Sequence, residues 1–371
     1  MRRESARHHE STPMVTMKDV AKAAGVSQAS VSYAYSGSPR VSESQRNHIF
    51  TVAAELGYSG PNVAGRFLRS GRIGAVGVLL PGPLASAVED PSTALLLKGI
   101  VTVSELADVA LTLLPVPPVD TSDSGSRPAT PAVLRGLVDG VVMHCLSNAS
   151  PVVEAIRSRG IPAVAIDSPR LPRLPYVTAD HRRGGAEQMD HLLAHGHRRI
   201  GIVTDLLGSA HLPGCHSLAR MPLVAETYLS ERFAGFGDAL QKRRIVDAEV
   251  SVIEAADIDL ASGMSAVSEL IARTRPTAII TTSDVHALAA LKVLRQQEIS
   301  VPEQISVIGF DDAPIADLVG LTTIRQPLED KGRAAAEMLL DVIAGRIRRR
   351  SVKPVELIVR DSTGPVPTAR I

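Results

Sequence analysis

The 371-residue chain has no tryptophan, two cysteines and only 3% aromatic residues. Cys145 and Cys215 provide neither a disulfide framework nor the paired spacing of a zinc site. No apolar run approaches the roughly 20 residues that cross a bilayer, so no membrane span is expected. The opening stretch MRRESARHHE is charged and has no apolar segment behind it, which argues against a secretory leader. With so little cysteine, the cytoplasm is the expected compartment. Phosphate loops, nucleophile–base pairs and metal triads are also missing from the pattern, so neither an enzyme nor a cofactor is expected. Gly74 and Gly77 lie inside an apolar run rather than after it, which removes the dinucleotide-loop reading.

The length exceeds one ordinary core, and two or three domains are expected. A net charge of +1 hides an asymmetry: residues 1–72 hold ten Lys/Arg against five Asp/Glu, and the remainder thirty against thirty-four. A small basic head on a mildly acidic body suggests that only the head meets a polyanion.

What the sequence does contain is a strong local signal at 16–37, TMKDVAKAAGVSQASVSYAYSG. Thr16 suits an N-cap with Asp19 three residues on, and Val20, Ala21 and Ala24 share a face. Gly25 breaks the helix, Ser27 caps a second one over 28–35, and Val31 with Ala34 or Tyr35 faces back. An ordinary αα-hairpin shares this pattern. It is also that of a helix-turn-helix, whose second helix enters the major groove of DNA. Ser42 and Gln45 then suit a capping box for a third helix over 42–56, closed by Gly57. Residues 1–15 are polar and without periodicity, and disorder is expected there.

The stretch 61–72, PNVAGRFLRSGR, reads as a short helix that is marginal alone in water. From Ile73 onward apolar runs and helical patterns alternate. Strand-like runs fall at 73–80, 109–114, 140–143, 163–166, 200–203, 278–281, 306–310 and 357–359. Helix-like runs fall at 93–107, 151–158, 184–194, 230–241, 261–274, 284–297 and 332–344. About 300 residues of this alternation fit two doubly wound lobes with parallel sheets better than one.

Taken in order, KDVAKAAGVSQASVS, PNVAGRFLRSGR, HLLAHGHRRIGIV, ERFAGF, PTAIITTSDVHALAALKVL, VPEQISVIGFDD, LTTIRQP and RDST make the chain resemble the lactose-repressor/galactose-repressor (LacI/GalR) family of transcription regulators, over about 16–363. The resemblance implies an all-α helix-turn-helix head at 16–60, a hinge helix at 61–72 and a periplasmic-binding-protein-like α/β body at 73–371. It places lobe 1 at about 73–178 and 311–326, lobe 2 at about 179–310 and 327–371, and crossovers near 177–180, 309–312 and 325–327. The implied function is that of a sequence-specific DNA-binding regulator, most simply a homodimeric repressor on a palindromic operator. A small-molecule effector, by default a sugar, would bind between the lobes. A nucleoside or other metabolite is the alternative effector, and a solute-binding protein without a DNA role is the rival class.

On the same resemblance, Gln28, Ala29 and Tyr33 match the base-facing positions of the recognition helix. Gln suits adenine, and Ala a thymine methyl. Tyr33 stands where relatives often carry Arg. Thr16, Ser27, Ser30 and Ser32 suit phosphate contacts. In the hinge, Asn62 would follow the groove and Leu68 would wedge into a base step. Asp167, Arg232, Asp284 and Asp311 match cleft-facing positions, a donor and acceptor set suited to hydroxyls. The absence of Trp leaves Tyr176, Tyr228, Phe233, Phe236 and Phe310 as the body's aromatics. The irregular stretch 206–228 is expected to border the cleft as a lid. His191, His195 and His197 complete no metal-ligand pattern, and no metal is expected.

Overall fold

A computed structural model of the chain describes residues 15–58, 60, 73–103, 106, 109–116, 138–205, 214–223, 227–346 and 349–367. The expected tail at 1–14, and the hinge at 61–72 with Asn62 and Leu68, lie outside the described residues. Two compact units divide the chain at Ile73/Gly74.

The first unit holds α1 (Met17–Ala23), α2 (Gln28–Tyr35) and α3 (Glu43–Glu55). The Asp19 carboxylate accepts from the Thr16 backbone N–H and hydroxyl, at 2.9 and 2.6 Å. Gly25 takes φ +65°, a left-handed conformation that favours glycine and turns the chain out of α1. Ser27 Oγ accepts from Ser30 N at 3.0 Å, and Ser42 Oγ from Gln45 N at 3.3 Å. These caps satisfy helix N–H groups that would otherwise lack partners. Val20, Val31 and Ile49 are fully buried where the three helices meet, with Ala21, Ala24, Ala34, Val41 and Ala53 around them. Leu56, the residue after α3, is exposed. Tyr35 meets Phe50 and Tyr58 edge-on at 5.0 and 5.8 Å.

The second unit is built from two α/β lobes. Lobe 1 begins with β1 (Ala75–Pro81), α4 (Leu84–Glu89), α5 (Pro91–Val101), β2 (Ala110–Val116) and β3 (Gly140–His144). It continues through α6 (Pro151–Ser158), β4 (Ala163–Ile166) and β5 (Tyr176–Ala179). The chain then enters lobe 2 with α7 (His181–Ala194), β6 (Arg199–Thr204), β7 (Cys215–Ser217), α8 (Thr227–Lys242) and β8 (Glu249–Glu254). Next come α9 (Leu260–Thr274), β9 (Ala278–Thr281), α10 (Asp284–Gln296), β10 (Ser306–Asp311), α11 (Pro314–Leu318) and β11 (Thr322–Arg325). It ends with α12 (Leu328–Ile343), β12 (Arg350–Lys353) and β13 (Glu356–Ile358).

The lobe 1 sheet runs β12-β5-β4-β3-β1-β2, and the lobe 2 sheet β13-β11-β10-β9-β6-β8-β7. All pairs in the first sheet are parallel, whereas β13 and β7 pair antiparallel at the edges of the second. Helices cover both faces, so central strands such as β1 and β10 are buried almost end to end. Gly77 in β1 is a packing glycine: a Cβ there would press on Leu114 and Val141.

The sheets correct the expected division of the body. Residues 311–326 stay in lobe 2, because β10 and β11 are parallel neighbours joined through α11. Helix α12 and strand β12 return to lobe 1, where Ala335, Met338 and Leu339 pack on Val78, Val142 and Val164. The chain therefore crosses between lobes near Asp180, at 326–327 and at 354–355, and the crossover expected at 309–312 is absent. The stretch 206–228 is not all loop either. Its described part forms edge strand β7, paired with β8, and a 3-10 helix, Leu218–Leu223. Only Tyr228 from that stretch lines the cleft among the described residues.

Candidate functional site

A cavity of about 300 Å³ lies between the two lobes. Strand ends supply most of its wall: His144 at the end of β3 and Cys145 after it, Asp167 after β4, Asp205 after β6, Thr282 and Ser283 after β9, and Asp311 at the end of β10. This is where open parallel sheets bind ligands, at the carboxyl ends of their strands. Asp90, Ser92, Tyr228, Arg232, Asp257, Gln326 and Lys331 add further polar groups to the lining.

Asp167 takes φ +62° and is almost wholly buried. Its Oδ1 accepts from Thr178 Oγ1 at 3.0 Å and His181 Nε2 at 2.8 Å, and its Oδ2 from Lys331 Nζ at 2.5 Å. Burial opposes ionisation of Asp167, but the Lys331 ammonium and His181 hold its carboxyl well below the usual range. Lys331 also donates to Gln326 Oε1 at 2.7 Å, and Gln326 Nε2 donates to Asp311 Oδ1 at 2.5 Å. Asp311 Oδ2 accepts from Ser92 Oγ at 2.8 Å, across the cleft.

On the other side His181 Nδ1 accepts from Arg232 Nε at 3.2 Å, and Arg232 Nη1 donates to the Thr282 carbonyl. Burial pushes His181 down to about 4, so the ring is neutral, with its proton on Nε2 toward Asp167. The Arg232 guanidinium sits 3.5 Å over the Phe310 ring. One hydrogen-bonded chain thus runs Ser92–Asp311–Gln326–Lys331–Asp167–His181–Arg232–Thr282 and joins both lobes. A second tie links them where Arg170 grips Glu231 through two bonds of 3.1 and 3.2 Å.

Close helix packing places Arg232 and His181. Gly185 of α7 and Gly235 of α8 face each other's backbone, and a Cβ on either would overlap a carbonyl, that of Arg232 or of Arg182. Without side chains at these points the two helices approach closely, bringing Arg232 over the end of the sheet.

Electrostatically the site is compensated from within. Asp167 faces Lys331. Asp205 lies 3.3 Å from His286 Nδ1, and although burial opposes its charge, Asp205 raises the His286 pKa. Asp311 is raised to about 7 by burial and by Asp90, against the pull of Arg232, Ser92 and Gln326. His144 Nδ1 and Ser150 Oγ, buried polar atoms of lining residues, have no hydrogen-bond partner among the described residues, and such groups in native structures call for a ligand or water.

Asp167, Arg232 and Asp311 therefore meet in the cleft as expected from the sequence, and Asp284 does not. Its Oδ1 accepts from Thr323 Oγ1 at 2.6 Å and its Oδ2 from Ala313 N at 2.8 Å, bracing the turn after β10. The preceding residue, Ser283, lines the cavity instead. Lys331, Gln326, Asp90, Asp205 and His144 were not singled out from the sequence. The usable signal for Asp205 and His144 was their place at the ends of apolar strand runs; Lys331 had none, being a lysine in a helical pattern.

His144, Cys145 and Asp167 bring potential metal-ligand atoms within 4.8 Å of one another. Both Asp167 oxygens are already engaged, however, and the Lys331 ammonium beside them repels a cation. His191 bonds Thr363, His195 bonds the His191 carbonyl, and His197 is held between Thr277 and Gly364, so all three act within the fold.

In the first unit, Gln28 and Ala29 are exposed at the start of α2, with Ser27 beside them. Thr16, Ser27 and Ser30 serve as caps or cap partners. Ser32 and Tyr33 are half-buried, and the Tyr33 hydroxyl accepts from Arg40 Nη1 at 2.9 Å.

A three-helix head with an exposed recognition helix, on the same chain as a two-lobed α/β body with a polar central cavity, defines a ligand-responsive DNA-binding regulator. Residues 16–62 match the lacI family of bacterial regulatory proteins, and residues 189–363 match the periplasmic binding protein-like domain. The chain is 33% identical to the HTH-type transcriptional regulator IpsA of Corynebacterium glutamicum, over 88% of this chain and 91% of that protein. The transcriptional regulator CelR, solved as a cellobiose complex, is 27% identical and covers 94% of this chain and 99% of its own, with TM-score 0.65. The lac repressor dimer bound to operator and the anti-inducer ONPF shares the fold at TM-score 0.73 and 22% identity, over 94% of this chain and 99% of its own. The chain belongs to the lacI family of bacterial transcriptional regulators. No helix among the described residues is long and apolar enough to cross a membrane.

Proposed function

We propose that the protein is a cytoplasmic, homodimeric repressor that binds a palindromic operator and is controlled by a small, uncharged, polyhydroxylated effector, a sugar by class, in the inter-lobe cavity. The observation that carries this reading is the hydrogen-bonded chain from Ser92 to Thr282, which ties both lobes to one cavity. Its buried charges are matched internally, so the site favours hydroxyls over a charged ligand. Arg232, Asp311, His144 and Ser283 are the contacts closest to hand, while Asp167 acts mainly by holding Lys331 and His181. A ligand that replaces the Ser92–Asp311 bond with its own bonds to both lobes shifts their equilibrium and changes operator affinity through its differential affinity for the two states.

In the head, Gln28 and Ala29 read base edges, and Thr16, Ser27, Ser30 and Ser32 meet phosphates. The protein carries no catalytic role in this reading. The test is a thermal-shift screen of sugars and nucleosides on the full chain, followed by gel shifts on selected sites. A neutral sugar that raises the melting temperature and alters operator binding supports it. Stabilisation by nucleosides alone, or by a sugar without any effect on DNA, counts against it.

A further inference from the structure

Tyr33 lies in the recognition helix α2, and the structure puts a guanidinium beside it. Arg40, from the loop between α2 and α3, donates from Nη1 to the Tyr33 hydroxyl at 2.9 Å. Its guanidinium carbon lies 5.3 Å from the centre of the Tyr33 ring. We infer that Tyr33 and Arg40 form one composite reading element, in which Tyr33 positions the Arg40 fork to recognise a guanine in each operator half-site. This rests on α2 being the recognition helix, as argued above.

The loop is built to hold that fork in place. Val41, next to Arg40, is buried in the core of the head. Arg40 N donates to Ser38 Oγ at 3.4 Å, and Arg46 Nη2 of α3 donates to the Ser38 carbonyl at 3.0 Å. Among the described residues no carboxylate pairs with Arg40, and its side chain is exposed. With Nη1 engaged by Tyr33, the Nε and Nη2 hydrogens remain for two parallel bonds. Guanine O6 and N7 accept that fork in the major groove, and it is the commonest specific contact of an arginine with DNA.

Placement favours a base over a phosphate. Tyr33 is four residues after the exposed Ala29, on the same side of α2, so the fork is carried on the base-facing edge of the helix rather than its flank. Holding the guanidinium beforehand also removes part of the side-chain entropy lost on binding. Tyr33 is thus a positioning residue, and its hydroxyl serves Arg40 more than it serves DNA directly.

The test is random-site selection followed by affinity measurement with the full-length protein, Arg40→Ala, Arg40→Lys, Tyr33→Phe and Gln28→Ala. Arg40→Ala is expected to lose the preference for one guanine per half-site, weakening binding to the parent site about tenfold or more while leaving other positions selected. Arg40→Lys should not restore that preference fully, because an ammonium lacks the planar fork. Tyr33→Phe should relax the same guanine and no other position, with the salt dependence unchanged. Gln28→Ala should relax a different position. Uniform weakening by Arg40→Ala with a shallower salt slope would assign Arg40 to a phosphate and overturn the inference, as would an unchanged selected site. If Gln28→Ala and all Tyr33 and Arg40 variants select the parent site, the recognition-helix placement itself fails.

Discussion

Lys331 and Asp167 are 164 positions apart in the chain and form a buried ion pair, Nζ to Oδ2, at 2.5 Å. The pair sits where α12 returns to lobe 1, so it also locks the second crossover into place. Removing one partner strands the other. Lys331→Met is expected to lower unfolding stability by about 3–5 kcal/mol, and the double change with Asp167→Leu to recover much of it. Urea unfolding at neutral pH measures both. Because the folded pKa of Asp167 is depressed, its stabilisation is present above the ordinary carboxylate range and is lost as pH falls toward the folded value. Lys331→Met should flatten that acid limb.

Asp311 titrates in the opposite sense. Its folded pKa is raised to about 7, so the folded state holds a proton that the unfolded state releases near the ordinary value. This contribution to stability is complete below that ordinary value and is lost as pH rises through about 7. Melting temperatures of the parent and Asp311→Asn should diverge progressively over that interval, with the parent losing more. Parallel curves would remove Asp311 as the titrating group.

Asp284 and Arg232 should separate stability from ligand response. Asp284→Asn keeps one acceptor oxygen for two donors, so Ala313 N or Thr323 Oγ1 loses a partner, at about 1–3 kcal/mol. Effector affinity of the folded protein should remain. Arg232→Met should instead abolish the effector-dependent change in operator binding, read by gel shift with and without ligand.

Gly235→Ala tests the helix contact beneath the site. The added methyl group meets the Arg182 carbonyl, and separating α7 from α8 should cost about 1–3 kcal/mol. Effector affinity should fall with it, because Arg232 and His181 ride on those helices. Isothermal titration beside thermal unfolding separates the two effects.

Operator binding should weaken steeply with salt, since residues 1–72 carry the excess of basic residues and the proposed interface includes phosphate contacts. Affinity measured over a range of salt concentrations gives the number of phosphates neutralised. A flat dependence would argue against the proposed interface.

Much of the head was legible without the fold. Thr16, Ser27 and Ser42 stand as caps, and the second helix spans 28–35 as read from the chain. The reason is that caps and helical faces are interactions over three or four residues. The strands at 163–166 and 278–281 were legible for a related reason: doubly buried strands are unbroken apolar runs. Strands β5, β8, β11 and β12 were not, because threonine, serine or charged residues interrupt the apolar run, and β12 also lies at a sheet edge.

By itself, then, the sequence determined the three-helix head, the alternating α/β character of the body, the family and the class of function, all of which rest on local pattern and motif order. Tertiary structure alone decided which lobe each late segment joins, since β12 pairs with β5 far away in the chain while β11 stays beside β10. It also decided that Ser283 rather than Asp284 meets the cavity, because one residue at the start of α10 turns the side chain by about a quarter of a circle. And it decided that Lys331 answers Asp167, and Arg40 answers Tyr33: pairings of charge and ring that exist only once the backbone has brought distant or loop residues together.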